Sequence, residues 1–146
     1  MSGVSSCIMS TMEPIVIYTD GGARGNPGPA AAGYMIYADG NAIEGKKFLG
    51  EKQTNNWAEY EAVVLALEKA MSLGLTSRDV TVRMDSKLVV EQISGNWKIK
   101  EPTLKPQAAK AHALLKDFKS WRFEYVPREQ NKEADRLVNE ALDEVL

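Results

Sequence analysis

The stretch YTDGGARGNPGPAAAGY, residues 18–34, limits the fold more than any other part of the chain. A glycine-rich run after a strand often opens a helix whose first amides hold a phosphate. This run lacks the parts for that. Its glycines do not fall at the offsets of a dinucleotide fingerprint, and the lysine and hydroxyl of a P-loop are missing. Pro27 and Pro29 bar a helix from starting inside it, because each lacks an N–H and disfavours helix in the residue before it. The chain must instead turn from one strand into another. Two readings of the turn stay open. It is either a stiff connection between antiparallel strands, or a backbone surface beside Asp20 that lets a bulky ligand come close.

The remaining elements follow from hydrophobic period and turn chemistry. Residues 15–20 (IVIYTD) read as a strand ending at Asp20, followed by extended segments over 30–38 and 41–50 around the hairpin signal Asp39-Gly40. Residues 55–74 carry Val63, Leu67, Ala70 and Met71 at helical spacing, with Gly74 as the stop. A strand over 79–85 and a short helix over 86–94 come next. Pro102 and Pro106 bracket a linker, and a helix is expected from Leu104 to Phe118. In residues 121–126, Trp121, Phe123 and Tyr125 alternate with Arg122 and Glu124, the pattern of a half-buried strand. Residues 131–146 close the chain as a helix. The order βββαβααβα predicts an α/β (α+β mixed) fold, a mixed sheet with helices packed on it.

The 146 residues suit one domain, and a 44% hydrophobic content supplies one core. Residues 1–13 read as a flexible leader with Met9 or Met12 as alternative starts, and residues 14–146 as the domain. The single cysteine, Cys7, excludes an internal disulfide, which fits the cytoplasm. No apolar run reaches membrane-span length. A net charge of −2 argues against nucleic-acid binding by bulk charge alone, while leaving room for local basic clusters.

Four carboxylates stand out: Asp20 at a strand end, Glu59 early in the long helix, Asp85 at the end of a strand, and Asp135 early in the last helix. Each has an ordinary structural reading. Asn56 and Glu59 fit a capping box, Asp85 fits a cap for the helix starting at Ser86, and Asp135 suits a helix N-terminus. Together they fit another reading, because strand ends and helix starts at one sheet edge converge. Converging carboxylates repel unless they are protonated or bridged by cations. Hard oxygen ligands select Mg²⁺ or Mn²⁺. Two such ions, roughly 4 Å apart, suit phosphodiester hydrolysis.

As a set, YTDGGARGNPGP, TNNWAEYEAVVLAL, MDSKLVVEQISG and NKEADRLVNEAL resemble, in order, the four motifs of the type 1 ribonuclease H family. The resemblance covers about residues 15–142. It implies a five-stranded mixed sheet flanked by helices, with Asp20, Glu59, Asp85 and Asp135 as the metal-binding and catalytic carboxylates. It also implies cleavage of the RNA strand of RNA–DNA hybrids, leaving 5′-phosphate and 3′-hydroxyl ends. By the same resemblance, Asn26, Asn55 and Asn56 reach the minor groove and read RNA 2′-hydroxyls, the group that separates RNA from DNA. Thr54, with Lys52, belongs to a pocket for a DNA-strand phosphate, Trp97 lies under a DNA sugar, and Ser86 joins the substrate-binding set. Helix capping by Asn55 and plain packing of Trp97 are the competing structural readings.

The chain departs from the family pattern in two places. Many members carry a catalytic histidine before the last helix, and VPREQNKEAD has none. Arg128 is the candidate for that neighbourhood, to hold the scissile phosphate or help product leave; an arginine does not shuttle protons. Glu129 is a second candidate, and His112 reads as a packed helix residue. The long basic protrusion of some relatives is also missing, and Lys87, Lys98, Lys100 and Lys105 form a modest strip instead. Weaker, salt-sensitive substrate binding is expected from that. The chain is expected to work as a monomer without an obligatory protein partner. A non-catalytic hybrid-binding module and a DNA nuclease on the same fold are the alternatives.

Overall fold

A computed structural model describes residues 13–145. The expected leader lies outside these residues except for Glu13, whose carbonyl accepts a hydrogen bond from the Arg78 guanidinium at 3.2 Å. The elements are β1 (Ile15–Ala23), β2 (Gly28–Ala38), β3 (Asn41–Gln53), α1 (Asn55–Ser72), β4 (Asp79–Met84), α2 (Lys87–Ile93), α3 (Lys105–Leu115), β5 (Ser120–Tyr125) and α4 (Lys132–Val145). Short 3-10 turns at Pro102–Leu104 and Arg128–Gln130 precede α3 and α4. The five strands form one mixed sheet in the order β3-β2-β1-β4-β5. The β1–β2 and β2–β3 pairs are antiparallel, and the β1–β4 and β4–β5 pairs are parallel.

The layers follow from side-chain period. Ile15 and Ile17 of β1 point into the main core, where α1 packs with α3 behind it. α4 buries Ala134, Leu137, Val138, Ala141 and Leu142, the i, i+3, i+4, i+7 stripe of a surface helix, against the opposite face of β2, β3 and β1. Asp39 and Gly40 both have positive φ, as a two-residue hairpin turn requires, and Gly74 ends α1 in the same region.

Four expectations need correction. β1 does not end at Asp20 but runs on through Gly21, Gly22 and Ala23, paired with β2 as far as Ala30. Pro102 and Pro106 do not bracket a linker; they sit in the first turns of the 3-10 segment and α3, where a missing N–H costs nothing. The third helix stops at Leu115 rather than Phe118. β5 buries only Phe123 of its three aromatics, with Trp121 36% and Tyr125 51% exposed, because β5 is the sheet edge and little covers it.

Candidate active site

Two glycines determine how close the helices come to Asp20. A Cβ on Gly21 would lie 2.2 Å from the Ala58 carbonyl oxygen, so only glycine lets α1 approach β1 there. Gly33 pairs with Asp20 across β1–β2, and a Cβ on it would lie 2.6 Å from the Ala134 carbonyl oxygen. α1 brings Glu59 in beside the first glycine, and α4 brings Asp135 in beside the second.

The result is a dense acidic centre. Asp20 is buried, at 7% exposure, in the middle of β1. Glu59 accepts the Gly21 amide on Oε1 at 3.0 Å. Asp85 follows β4 directly, and Ser86 caps α2 by accepting the Val89 amide at 3.3 Å, so Asp85 is not the cap. Asp20, Glu59 and Asp85 each offer an oxygen within 4.8 Å of the others. Asp135, in the first turn of α4, brings its carboxyl up against that of Asp20. Burial, then the charges of Asp85 and Asp135, push the Asp20 carboxyl from 3.8 up to about 8. Glu59 is pushed well up by burial and by Asp20 and Asp85, against the opposing pull of the Gly21 amide and Arg128. Carboxylates this crowded and this poorly hydrated are matched by a divalent cation, so the donor set fits Mg²⁺ or Mn²⁺.

These groups open into a cleft of about 450 Å³ that also exposes Gly22, Arg24, Asn55, Tyr125, Arg128 and Asn139. Arg128 is thus placed beside the acids, at the 3-10 turn before α4. Glu129 lies outside this cleft, in a groove with Tyr18, Tyr37 and Arg83. The only histidine, His112, bonds the Ile93 carbonyl at 2.9 Å through Nε2, remote from the acids.

Thr54, not Asn55 or Asn56, caps α1; its hydroxyl accepts the Trp57 amide at 3.2 Å, which removes the capping-box reading of Glu59. Asn55 serves the glycine turn instead. Its Oδ1 accepts the Ala23 amide at 2.8 Å, and its backbone N–H donates to Asn26 Oδ1 at 3.0 Å. Both side-chain oxygens are therefore engaged, which leaves the NH₂ groups of these two exposed residues as donors. Asn55 and Glu59 stand one turn apart on α1 and line the same cleft. Asn56 lines a separate apolar pocket with Leu88, Gln92 and Trp97, the last 45% exposed rather than packed away. Lys52 is exposed on the last residues of β3. Sequence reasoning missed Arg24, Tyr125 and Asn139 in the cleft. Only the aromatic at the end of β5 gives any signal, and its alternation places it on the aromatic face of a half-buried strand.

A mixed sheet in this order, with carboxylates brought to the middle strand by one helix on each face, defines a ribonuclease H-like protein. The family model described as reverse transcriptase-like matches residues 18–141. The chain is 47% identical over 132 residues to a bifunctional protein of Mycobacterium tuberculosis, a match covering 88% of this chain and 35% of that protein. It is 44% identical over 129 residues to ribonuclease HI of Halobacterium salinarum, covering 87% of this chain and 63% of that one. The chain thus spans less than two thirds of the length of these relatives. A solved structure of LC11-RNase H1, isolated from compost and in complex with an RNA/DNA hybrid, matches at a TM-score of 0.84 and 47% identity, covering 90% of this chain and 98% of that chain. The chain belongs to the type 1 ribonuclease H family.

Proposed function

We propose that this protein hydrolyses the RNA strand of RNA–DNA hybrids, releasing 5′-phosphate and 3′-hydroxyl ends. The observation that carries the reading is the convergence of Asp20, Glu59, Asp85 and Asp135 in one open cleft. Two Mg²⁺ ions, or Mn²⁺, held by these four residues would supply an activated water and stabilisation of the leaving oxygen. The protein's own part is to position. The NH₂ groups of Asn26 and Asn55, joined by Asn56 from the neighbouring pocket, donate to RNA 2′-hydroxyls, and Trp97 in that pocket lies under a DNA sugar. Lys52, Thr54 and Ser86 contact phosphates at the rim, the two hydroxyls still having a proton to donate while they cap their helices. Arg128 holds the scissile phosphate where other members place a histidine, as a fixed charge and not as a proton carrier. The same reading has the protein acting as a cytoplasmic monomer. Asp20→Asn tests it: cleavage should disappear while circular dichroism and melting show an intact fold. Retained turnover would overturn the assignment.

A further inference from the structure

We infer that Asn131 is a positioning residue of the carboxylate site, setting the helix-borne Asp135 against the strand-borne Asp20. This rests on the proposed function of the site but adds a residue that does not itself face the cleft. Asn131 is 1% exposed, at the junction of the 3-10 turn and α4. Its Nδ2 donates to the Thr19 carbonyl at 2.9 Å, one residue before Asp20. The pairing of β1 with β4 runs only as far as Thr19 and Met84, so the bond is made where that ladder stops. The backbone carbonyl of Asn131 accepts the Asp135 amide at 3.1 Å, which opens α4 and places Asp135 one turn on. One residue therefore links the strand carrying the first acid to the helix carrying the fourth.

Stability alone does not account for an amide here. Asn131 Oδ1 and the neighbouring Thr19 Oγ1 are buried with no protein partner, and a buried polar atom left unpaired is destabilising. An apolar side chain would remove the unpaired Oδ1 but would also take this donor from the Thr19 carbonyl. What it would not provide is direction. The contact of Gly33 with Ala134 and Leu137 limits how near α4 comes but not how it slides or turns. The ion pairs Arg24–Asp143 and Lys46–Glu144 hold its far end, Arg136–Glu44 and Lys46–Glu140 tie it to β3, and all four are at the surface and reach neither β1 nor Asp20. Among the described residues, no other side-chain hydrogen bond ties the start of α4 to β1, the Asp20–Asp135 contact apart.

The test compares Asn131→Leu, which keeps the number of side-chain heavy atoms and loses the bond, with Asn131→Ala and with Arg78→Met. Arg78 is buried and bonded to Asp39 at the hairpin end of the sheet, so its loss reports on stability alone. Three readouts are taken: the melting temperature, Mn²⁺ binding by calorimetry without substrate, and kcat and KM on a hybrid in Mg²⁺. Loss of a group that orients metal ligands weakens metal binding about 10- to 100-fold. Asn131→Leu is expected to bind Mn²⁺ at least ~10-fold more weakly and to lose kcat with little change in hybrid KM, whereas Arg78→Met loses melting temperature only. If both Asn131 variants bind Mn²⁺ like the parent and merely melt earlier, the positioning role is wrong. If Asn131→Ala does not fold, the leucine variant decides. A parent that neither binds Mn²⁺ nor cuts hybrid would instead overturn the reading of the site itself.

Discussion

A methyl group on Gly21 would meet the Ala58 carbonyl at 2.2 Å, whereas one on Gly22 would have its nearest neighbours, Asn55 Oδ1 and Val138 Cγ1, at 3.9 Å. The two adjacent glycines therefore serve different ends. Gly21→Ala is expected to cost on the order of 3 kcal/mol by overpacking α1 against β1. Gly22→Val should leave the fold nearly as stable and weaken hybrid binding, since it puts bulk into the cleft. Thermal melts and a hybrid-binding isotherm on both variants check this; the opposite pattern would make Gly22 a structural glycine. Asp20 gives a pH test. Between 3.8 and about 8 its folded carboxyl holds a proton that the unfolded chain releases. Its contribution to stability is therefore present below 3.8 and is lost as pH rises to about 8. In EDTA, Asp20→Asn should melt above the parent at pH about 8 and near it at pH about 4. Mg²⁺ should then narrow the gap by stabilising the parent. A constant gap between variant and parent across that range would contradict the crowding of the acids.

At the level of elements, the start of α1 does two jobs with adjacent residues. Thr54 caps the helix and Asn55 fastens the glycine turn to it. Thr54→Ala should lower stability by about 1 kcal/mol. Asn55→Ala should lose hybrid affinity out of proportion to its loss of stability, because it removes the cleft-lining amide and releases Ala23, while the backbone N–H that holds Asn26 is kept. Matched losses in the two measurements would reduce Asn55 to a turn residue. Most elements were legible, since Asp39-Gly40 demands a hairpin and the apolar stripe of α4 demands a helix. What was misread has a common cause. Alternation in residues 121–126 tells which side chains share a face, not whether anything lies over it, and β5 turned out to be the edge. β1 reads as stopping at Asp20 because the β-branched and aromatic run ends there. It continues because β2 pairs with it and α1 needs Gly21 small. Capping by Thr54 rather than Asn55 depends on a contact with a turn 32 residues away, and the burial of the Asn131 amide on one 112 residues away. No local pattern encodes either.

For the molecule as a whole, one mixed sheet serves as the frame, and a helix on each face delivers an acid to its middle strand. The four carboxylates were visible in the sequence as polar residues at strand ends and helix starts. Their crowding was not, since it depends on how closely α1 and α4 pack on Gly21 and Gly33. The most direct measurement is cleavage of end-labelled, matched RNA–DNA hybrid, double-stranded RNA and double-stranded DNA, each with Mg²⁺ and with EDTA, with product ends mapped. The expected result is scission of the RNA strand of the hybrid, with 5′-phosphate and 3′-hydroxyl ends, only when Mg²⁺ is present. Hybrid bound but left uncut in Mg²⁺, cleavage that survives EDTA, or preferential cutting of DNA would contradict it.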